Sequence, residues 1–211
     1  MPVEVPLYPV NLRVDGVACL VVGGGPVAAR KAAGLRACGA SVRVVAPEVG
    51  DEVRRLPGVE WDERPYRPGE AAGYRLVMTA TDDPTVTAAV AADADAAGVW
   101  VNAADDPANC TFTLPSVARR GPLTVAISTG GHSPALAVWL RRHVDREMGP
   151  EYEVLLELLS EERGRLRHEG RSTEEVDWQN ALDSDMLALI RAGNVQRARE
   201  RLQACLSSSS D

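Results

Sequence analysis

The sequence predicts an α/β protein whose first part is built on a mainly parallel sheet. Only one residue is Phe although 45% of the 211 residues are hydrophobic. Ala and Val dominate instead, which favours a sheet covered by close-packed, Ala-rich helices over an aromatic-rich β-sandwich. Over the first hundred residues, short apolar runs alternate with Ala-rich stretches of helical length, an order typical of βαβ units.

Five short apolar runs bounded by turn residues are the predicted strands of this sheet. They cover residues 17–22, 42–46, 59–61, 76–80 and 100–102. The helices predicted between them cover residues 26–38, 52–56 and 81–97. The first of these begins at a Pro and stops before a Gly, the usual asymmetry of helix ends.

After Pro115 the pattern changes to a hairpin followed by helices. Two short strands flank the turn Arg120-Gly121-Pro122, and a helix capped by Ser133 and Pro134 follows. The predicted bounds are 116–119 and 123–127 for the strands, and 133–148, 152–168 and 183–206 for the helices. The serine-rich tail, residues 207–211, is predicted to be disordered.

Charge, hydropathy and cysteine spacing exclude several classes of protein. The net charge of −7 argues against general nucleic-acid binding, and no apolar run approaches the roughly 20 residues that span a bilayer. The N-terminus lacks the layout of a signal peptide, so a cytoplasmic protein is expected. The four cysteines are scattered, so neither a disulfide framework nor a metal site is predicted, and Cys110 is interpreted as a reduced packing residue.

A glycine-rich turn joins the first strand to the first helix. Gly23-Gly24-Gly25-Pro26-Val27-Ala28 fits the pattern G-x-G-x-x-A of a Rossmann-type dinucleotide site. Gly23 allows the tight turn, Gly25 lets the backbone approach a pyrophosphate, and the helix N-terminus offers free N–H groups to the phosphates. The alternative is a purely structural turn.

Two further loops are predicted to contact the cofactor. An NAD site usually has an acidic residue that ends the second strand and binds the ribose. Here Glu48 follows Pro47 slightly late, which departs from that pattern, and NAD is still favoured over NADP. Thr81 and Asp82 end the fourth strand, where a ribose or nicotinamide would rest. Helix capping by Thr81 or Asp82 is the alternative, and both roles are compatible.

The loop Asn102-Ala103-Ala104-Asp105-Asp106-Pro107 follows a strand at the same edge of the sheet. A carboxylate there is placed to act as a general base or to hold a cationic atom of a substrate. The alternative is an Asx-type turn before the proline. Asp106 is the more natural turn residue, so Asp105 is the predicted catalytic residue and Asn102 a predicted substrate contact.

Six segments together resemble the precorrin-2 dehydrogenase/sirohydrochlorin ferrochelatase family, which includes the N-terminal module of siroheme synthase. They are LYPVNL (7–12), VVGGGPVAARK (21–31), ATDD (80–83), VNAADDP (101–107), CTFTLPS (110–116) and ISTGGHSPA (127–135). The resemblance implies NAD-dependent oxidation of precorrin-2 to sirohydrochlorin in a homodimer, and some members also insert Fe²⁺. Since this sequence has no methyltransferase domain after residue 150, a stand-alone enzyme is expected.

The resemblance also implies roles for individual residues. The aspartate used for dehydrogenation, and for chelation where it occurs, falls on Asp105. Backbone contacts to the cofactor fall on Pro26, Val27, Pro47 and Glu48. The serine that borders the tetrapyrrole pocket falls on Ser128.

A substrate with eight carboxylates needs a cationic surface on this acidic protein. The residues that could provide one are Arg119, Arg120, Arg141, Arg142 and His143. A solvated helix face is the alternative for each arginine. His132 is a further predicted contact to a substrate carboxylate, with an exposed or structural histidine as the alternative.

The predicted fold class is therefore α/β: a Rossmann-type parallel sheet followed by a β-hairpin/helix dimerisation segment and a helical C-terminal region. The corresponding domains are an NAD-binding Rossmann domain at 1–114, the dimerisation segment at 115–150, and a helical region at 151–211 that includes the tail. The predicted partners are a tetrapyrrole, Fe²⁺ as a co-substrate where chelation occurs, and a second copy of the chain, with no nucleic acid or membrane. Two competing functions are a non-catalytic, nucleotide-sensing Rossmann module and a structural dimerisation domain.

Overall fold

The computed structural model describes residues 5–104 and 106–207, which form two compact units. The first unit extends to Leu114 and includes Gly130–His132, and the second consists of Pro115–Thr129 and the residues from Ser133 onward. Of the predicted disordered tail, residues 208–211 lie outside the described residues. No helix within the described ranges is both long enough and apolar enough to cross a membrane.

The first unit alternates strands with helices, as predicted. Its elements are β1 (Ala18–Val22), α1 (Pro26–Ala37), β2 (Ser41–Ala46), α2 (Asp51–Arg54), β3 (Val59–Glu63), β4 (Leu76–Thr79), α3 (Pro84–Ala96) and β5 (Trp100–Ala103). Short 3₁₀ turns occupy Glu70–Gly73 and Pro107–Asn109. All five predicted strands are confirmed, with ends that differ by one or two residues.

The five strands form one parallel sheet in the order β3-β2-β1-β4-β5. The chain leaves β1 toward β2 on one side and returns to β4 on the other, so β1 and β4 flank the point where the strand order reverses. Val21 and Met78 face α1, whereas Leu20 and Val77 pack with α3 on the opposite face. Burial of both faces explains why the strands are continuous apolar runs. The structure confirms the predicted Rossmann-type α/β class.

The cap of α3 differs from the prediction. Asp83, not Thr81 or Asp82, is the N-cap, and its Oδ1 accepts hydrogen bonds from the backbone N–H of Thr85 at 2.8 Å and of Val86 at 3.4 Å. The aspartate directly before Pro84 has the position that a cap requires. The capping role predicted for Thr81 or Asp82 is therefore wrong.

The second unit contains the predicted hairpin and a bundle of helices. Its elements are β6 (Ser116–Arg120), β7 (Leu123–Ile127), α4 (Pro134–Glu147), α5 (Glu151–His168), α6 (Trp178–Leu182), α7 (Met186–Arg191) and α8 (Val195–Ser207). The last four helices enclose a core that includes Leu158, Leu166, Met186 and Leu202.

The predicted single helix over 183–206 is wrong because Gly193 divides it into α7 and α8. Gly193 has a φ of +76°, its N–H donates to Ile190 O, and the N–H of Asn194 donates to Leu189 O. This pair of hydrogen bonds is the Schellman motif that ends helices at a left-handed glycine. The predicted polar break before residue 183 also contains the short helix α6.

Candidate active site at the carboxyl edge of the sheet

The loops that follow β1, β4 and β5 surround a cleft at one edge of the sheet. The cleft has a volume of about 260 Å³ and is lined by Val27, Ala80, Thr81, Asp82, Pro84, Thr87, Ala104 and Asp106. Ligands of open parallel sheets bind outside the carboxyl ends of the strands, where the strand order reverses. This cleft occupies that position, and three of the predicted site residues line it: Val27, Thr81 and Asp82.

The first two glycines of the turn are required by internal packing. Gly23 has a φ of +128°, and a Cβ there would lie 2.1 Å from the carbonyl oxygen of Ala80. A Cβ on Gly24 would lie 1.9 Å from the carbonyl oxygen of Glu48, and Gly24 O accepts a hydrogen bond from the N–H of Gly50 at 2.9 Å. The turn thus packs against the ends of both neighbouring strands.

Gly25 differs because none of the described residues packs against it closely enough to require a glycine. Its backbone is extended, with φ −85° and ψ −173°, and a Cβ would meet no atom of the described residues within 4 Å. Gly25 is the N-cap of α1, and no side chain of the described residues caps that helix. Open space beside uncapped helix N–H groups suits a pyrophosphate, so the turn fits a dinucleotide.

The loop after β2 is held from two sides. Pro47 and Glu48 are exposed, and the next residue, Val49, donates its N–H to Glu63 Oε1 at 3.1 Å and accepts from Arg54 Nε at 2.9 Å. Arg54 also pairs with Glu63 at 2.6 Å. The Val49 N–H and then Arg54 lower the pKa of Glu63, so this carboxylate stays ionised and the Arg54 charge is paired.

Sequence analysis missed Glu63 and Arg54, although a signal was available. Ala46, the last residue of β2, pairs in register with Glu63, the last residue of β3. The carboxylate of Glu63, at the end of β3, therefore lies beside the loop after β2, which contains Glu48. Arg54 is further fixed by stacking over the ring of Trp61 at 4.4 Å.

The predicted catalytic residue, Asp105, lies outside the described residues. Its chain neighbours Ala104 and Asp106 both line the cleft. Ala104 donates its N–H to Thr79 O at 3.0 Å, which ties the start of the loop to β4. Asp106 accepts hydrogen bonds from the side chain of Asn109 at 2.6 Å and from its backbone N–H at 3.2 Å, so Asp106 forms the turn, as predicted.

Asn102 is buried, with 7% of its surface exposed. Its Oδ1 accepts from Lys31 Nζ at 2.6 Å, and its Nδ2 donates to Phe112 O at 3.0 Å. Both ends of the amide are therefore engaged inside the protein. These surroundings give no support to the predicted substrate contact, and the hydrogen bond to Lys31 is a connection that sequence analysis did not predict.

The other predicted substrate contacts have different surroundings. Ser128, His132 and Arg119 are exposed; His132 belongs to the first unit and the other two to the second. Arg120 donates to the carbonyl oxygens of Met148 at 2.6 Å and Asp145 at 2.7 Å, so its guanidinium secures the end of α4.

The remaining members of the predicted cationic cluster lie on α4. Arg141 pairs with Asp145, Arg142 is exposed, and His143 stacks on Trp139 with ring centroids 5.9 Å apart. Within the described ranges, no three His, Cys, Asp or Glu side chains form a group that could hold a metal ion.

Two family models match consecutive parts of the chain. The first, described as putative NAD(P)-binding, matches residues 10–116. The second, described as the central part of a sirohaem biosynthesis protein, matches residues 120–147.

Curated relatives of similar sequence are siroheme synthases. The protein of Nitrosomonas eutropha is 35% identical over 210 residues, which is 97% of this chain and 44% of that protein. The protein of Nitrosococcus oceani is 36% identical over 208 residues (94% and 43%), and that of Pseudomonas putida is 38% identical over 205 residues (93% and 43%). This chain therefore spans less than half of the length of these relatives.

A solved structure, described as SirC, precorrin-2 dehydrogenase, has a similar fold over nearly the whole chain. It superposes with a TM-score of 0.70 at 25% sequence identity and covers 94% of this chain and 98% of its own. The likeness thus extends beyond the parallel sheet to the hairpin and the helical region.

Proposed function

This chain belongs to the siroheme synthase family of NAD(P)-binding proteins, and we propose that it oxidises precorrin-2 to sirohydrochlorin with NAD. The observation that carries the proposal is the cleft at the β1/β4 switch point. There the open backbone of Gly25, the residues Thr81 and Asp82, and the two neighbours of Asp105 meet at one edge. A dehydrogenase of this kind needs a dinucleotide site beside a group that accepts a proton, the role proposed here for the carboxylate of Asp105.

The oxidation removes a hydride and a proton from the tetrapyrrole, and NAD, when bound, accepts the hydride. The N–H groups at the N-terminus of α1, with Pro26 and Val27 in its first turn, would hold the pyrophosphate. Pro47 and Glu48 would contact the adenosine part, and Thr81 and Asp82 would contact the nicotinamide half. The products are sirohydrochlorin, NADH and one proton.

We assign the proton transfer to Asp105. A carboxylate that accepts a proton as the hydride leaves prevents positive charge from building up on the ring system. Asp106 is unsuited to this role because its carboxylate accepts a hydrogen bond from Asn109 and forms the turn. For the substrate carboxylates we retain Arg119, Ser128 and His132, which are exposed. Asn102 and Arg120 are better explained by their internal hydrogen bonds.

Iron insertion is a second proposed step on the same substrate. Fe²⁺ would enter as a substrate and be bound by the four nitrogens of sirohydrochlorin, since the described side chains form no metal-binding group. Asp105 would accept the two displaced pyrrole protons one at a time and pass each of them to solvent. Asp105 is the residue to which the proposed iron insertion assigns a role.

We also propose a homodimer that works in the cytoplasm. On α4, Leu136, Val138 and Trp139 are exposed apolar side chains within two turns, and a self-complementary contact would cover them. In this proposal residues 1–114 bind NAD, 115–150 form the dimer, and 151–211 form a helical region. Within the described ranges the four cysteines form no disulfide, which suits a reducing compartment. If the exposed apolar side chains of α4 form the dimer contact, light scattering should give twice the mass of one chain.

The test is anaerobic conversion of precorrin-2 with NAD, followed by absorbance, for wild type, Asp105→Asn and the control Asp95→Asn. Asp95 is an exposed carboxylate on α3, so its variant should match wild type. Asp105→Asn should lose about 100-fold or more in kcat while still binding NAD. A folded, NAD-binding wild type that leaves precorrin-2 unchanged would reject the dehydrogenase and favour a nucleotide-sensing module. Fe²⁺ added to sirohydrochlorin tests chelation separately.

A further inference from the structure

One row of side chains across the α1 face of the sheet contains a polar member. The strand register aligns Val44, Val21, Met78 and Asn102 across β2, β1, β4 and β5. The first three are buried and apolar, and Asn102 is buried beside them. A buried amide is costly unless it is hydrogen-bonded. An apolar residue would fill this position at lower cost, so the amide needs an explanation.

The explanation begins with Lys31, the only lysine of the sequence. It lies on α1, the helix that starts at the glycine turn, and its Nζ donates to Asn102 Oδ1 at 2.6 Å across 71 residues of chain. A charged donor makes this hydrogen bond stronger than one between neutral groups. The contact therefore joins the helix that receives the pyrophosphate to the strand that leads into the Asp105 loop.

Cys110 continues the connection on the other side of Asn102. Its Sγ accepts the N–H of Ala103 at 3.1 Å and lies 3.3 Å from the carbonyl oxygens of Ala103 and Asp106, to one of which it donates. Burial raises the pKa of this thiol, so it keeps its proton at neutral pH. The two ends of the loop 103–110 are thus joined through one sulfur atom.

The side-chain amide of Asn102 also contacts the segment that follows the loop, residues 110–112. Its Nδ2 lies 3.7 Å from Cys110 Sγ and donates to Phe112 O, while the N–H of Thr111 donates to Val101 O at 2.8 Å. Lys31, Asn102 and Cys110 therefore form a continuous polar chain from α1 to both ends of the loop.

We propose that Lys31 is a positioning residue which, through Asn102 and Cys110, sets the loop containing Asp105 relative to the cofactor-binding turn. The proposal rests on the proposed dehydrogenase function. Polar links of this kind add little net stability compared with apolar packing, but they fix one geometry. A catalytic group displaced by about 1 Å can lose about 100-fold in rate, so a fixed geometry has a direct value here.

The test compares Lys31→Met with Arg30→Met, which removes a charge from the exposed neighbour on the same helix. Hydrogen exchange is measured on the peptide that covers residues 103–110, and kcat, the KM for precorrin-2 and the Kd for NAD are measured in parallel. Lys31→Met should speed exchange of this peptide about tenfold and lower kcat about tenfold, with KM and Kd within about twofold of wild type. Arg30→Met should match wild type in all four quantities.

A second variant, Asn102→Leu, places an apolar side chain of similar size beside Met78 and removes the hydrogen bond to Lys31. If both residues act through their contact, the double variant should lose no more kcat than the worse single variant. Unchanged exchange or unchanged kcat in Lys31→Met overturns the positioning role. A wild type that does not oxidise precorrin-2 rejects the proposed function instead, and the exchange measurement still decides whether Lys31 holds the loop.

Discussion

The three consecutive glycines of the turn predict opposite results for two neighbouring substitutions. In Gly25→Ala the new Cβ meets no atom within 4 Å in the part of the chain that the structure describes, and the backbone angles suit any residue. Loss of a flexible glycine stabilises by about 0.4–1 kcal/mol, whereas Ala is a poorer N-cap than Gly by about 1 kcal/mol. The two effects offset each other, so we expect the Tm of Gly25→Ala to stay within about 4 °C of wild type.

The affinity of Gly25→Ala for NAD should fall, although its thermal stability stays close to that of wild type. The methyl group of Gly25→Ala occupies the space through which a phosphate reaches the uncapped N–H groups of α1. Loss of one hydrogen bond to a charged group is worth about 2 kcal/mol, which corresponds to a Kd for NAD raised about 30-fold. Calorimetric titration with NAD measures this change on a variant that thermal unfolding shows to be intact.

Gly24→Ala is the matched comparison because its Cβ would lie 1.9 Å from the carbonyl oxygen of Glu48. The loop after β2 must shift to admit the methyl group, and overpacking of this kind costs about 1–3 kcal/mol. We expect a clearly lower Tm for Gly24→Ala. The reasoning is refuted if Gly25→Ala binds NAD as tightly as wild type, or if Gly24→Ala unfolds at the wild-type temperature.

Two further predictions concern carboxylates whose pKa is lowered by their partners. Glu162 is buried and bonded to Arg165, which lowers the pKa of this carboxyl; Glu162→Gln should lose about 1–3 kcal/mol of unfolding free energy in urea at pH 7, and the exposed control Glu161→Gln much less. The pKa of Glu162 is lower in the folded state than in the unfolded state, so its stabilisation is present above the unfolded pKa of about 4.3 and is lost as the pH falls through the folded pKa. The difference in unfolding free energy between Glu162→Gln and wild type should therefore shrink below about pH 4. A difference that stays constant below that pH would contradict this prediction. Glu63→Gln unpairs Arg54 beside the loop after β2 and should improve the use of NADP relative to NAD, measured as the ratio of kcat/KM values; an unchanged ratio would show that Arg54 does not reach a 2′-phosphate.

The sheet could be predicted from the sequence because both of its faces are buried. Strands such as Ala18–Val22 and Leu76–Thr79 are then continuous apolar runs, and turn residues mark their ends. The break between α7 and α8 also had a signal, the pair Gly193-Asn194. The apolar spacing continues across it, from Ile190 to Ala198 and Leu202 in one core, so periodicity alone predicts one helix where the chain forms two.

Polar residues at the ends of strands show where sequence interpretation stops. Asp106 was predicted to form a turn and does so, because its partner Asn109 is three residues away and local hydrogen bonds follow from local sequence. Asn102 was predicted to contact substrate, yet its partner Lys31 is 71 residues away. Only the register of Asn102 with Met78 reveals that the amide lies on the buried α1 face.

The difference between these two residues has a physical basis that extends to the site as a whole. Side chains within a strand alternate between the two faces of the sheet, and both faces are covered here, so a polar side chain within β4 or β5 is buried on one of them. A residue beyond the end of the strand can reach the open edge instead. Asn102 lies within β5 and follows this alternation, whereas Asp105 comes two positions after the end of β5 in the sequence. The motif Val101-Asn102-Ala103-Ala104-Asp105 therefore contains two kinds of functional residue. We infer that one acts in the cleft and the other holds the loop from behind, and the paired variants of Lys31 and Asp105 separate the two roles.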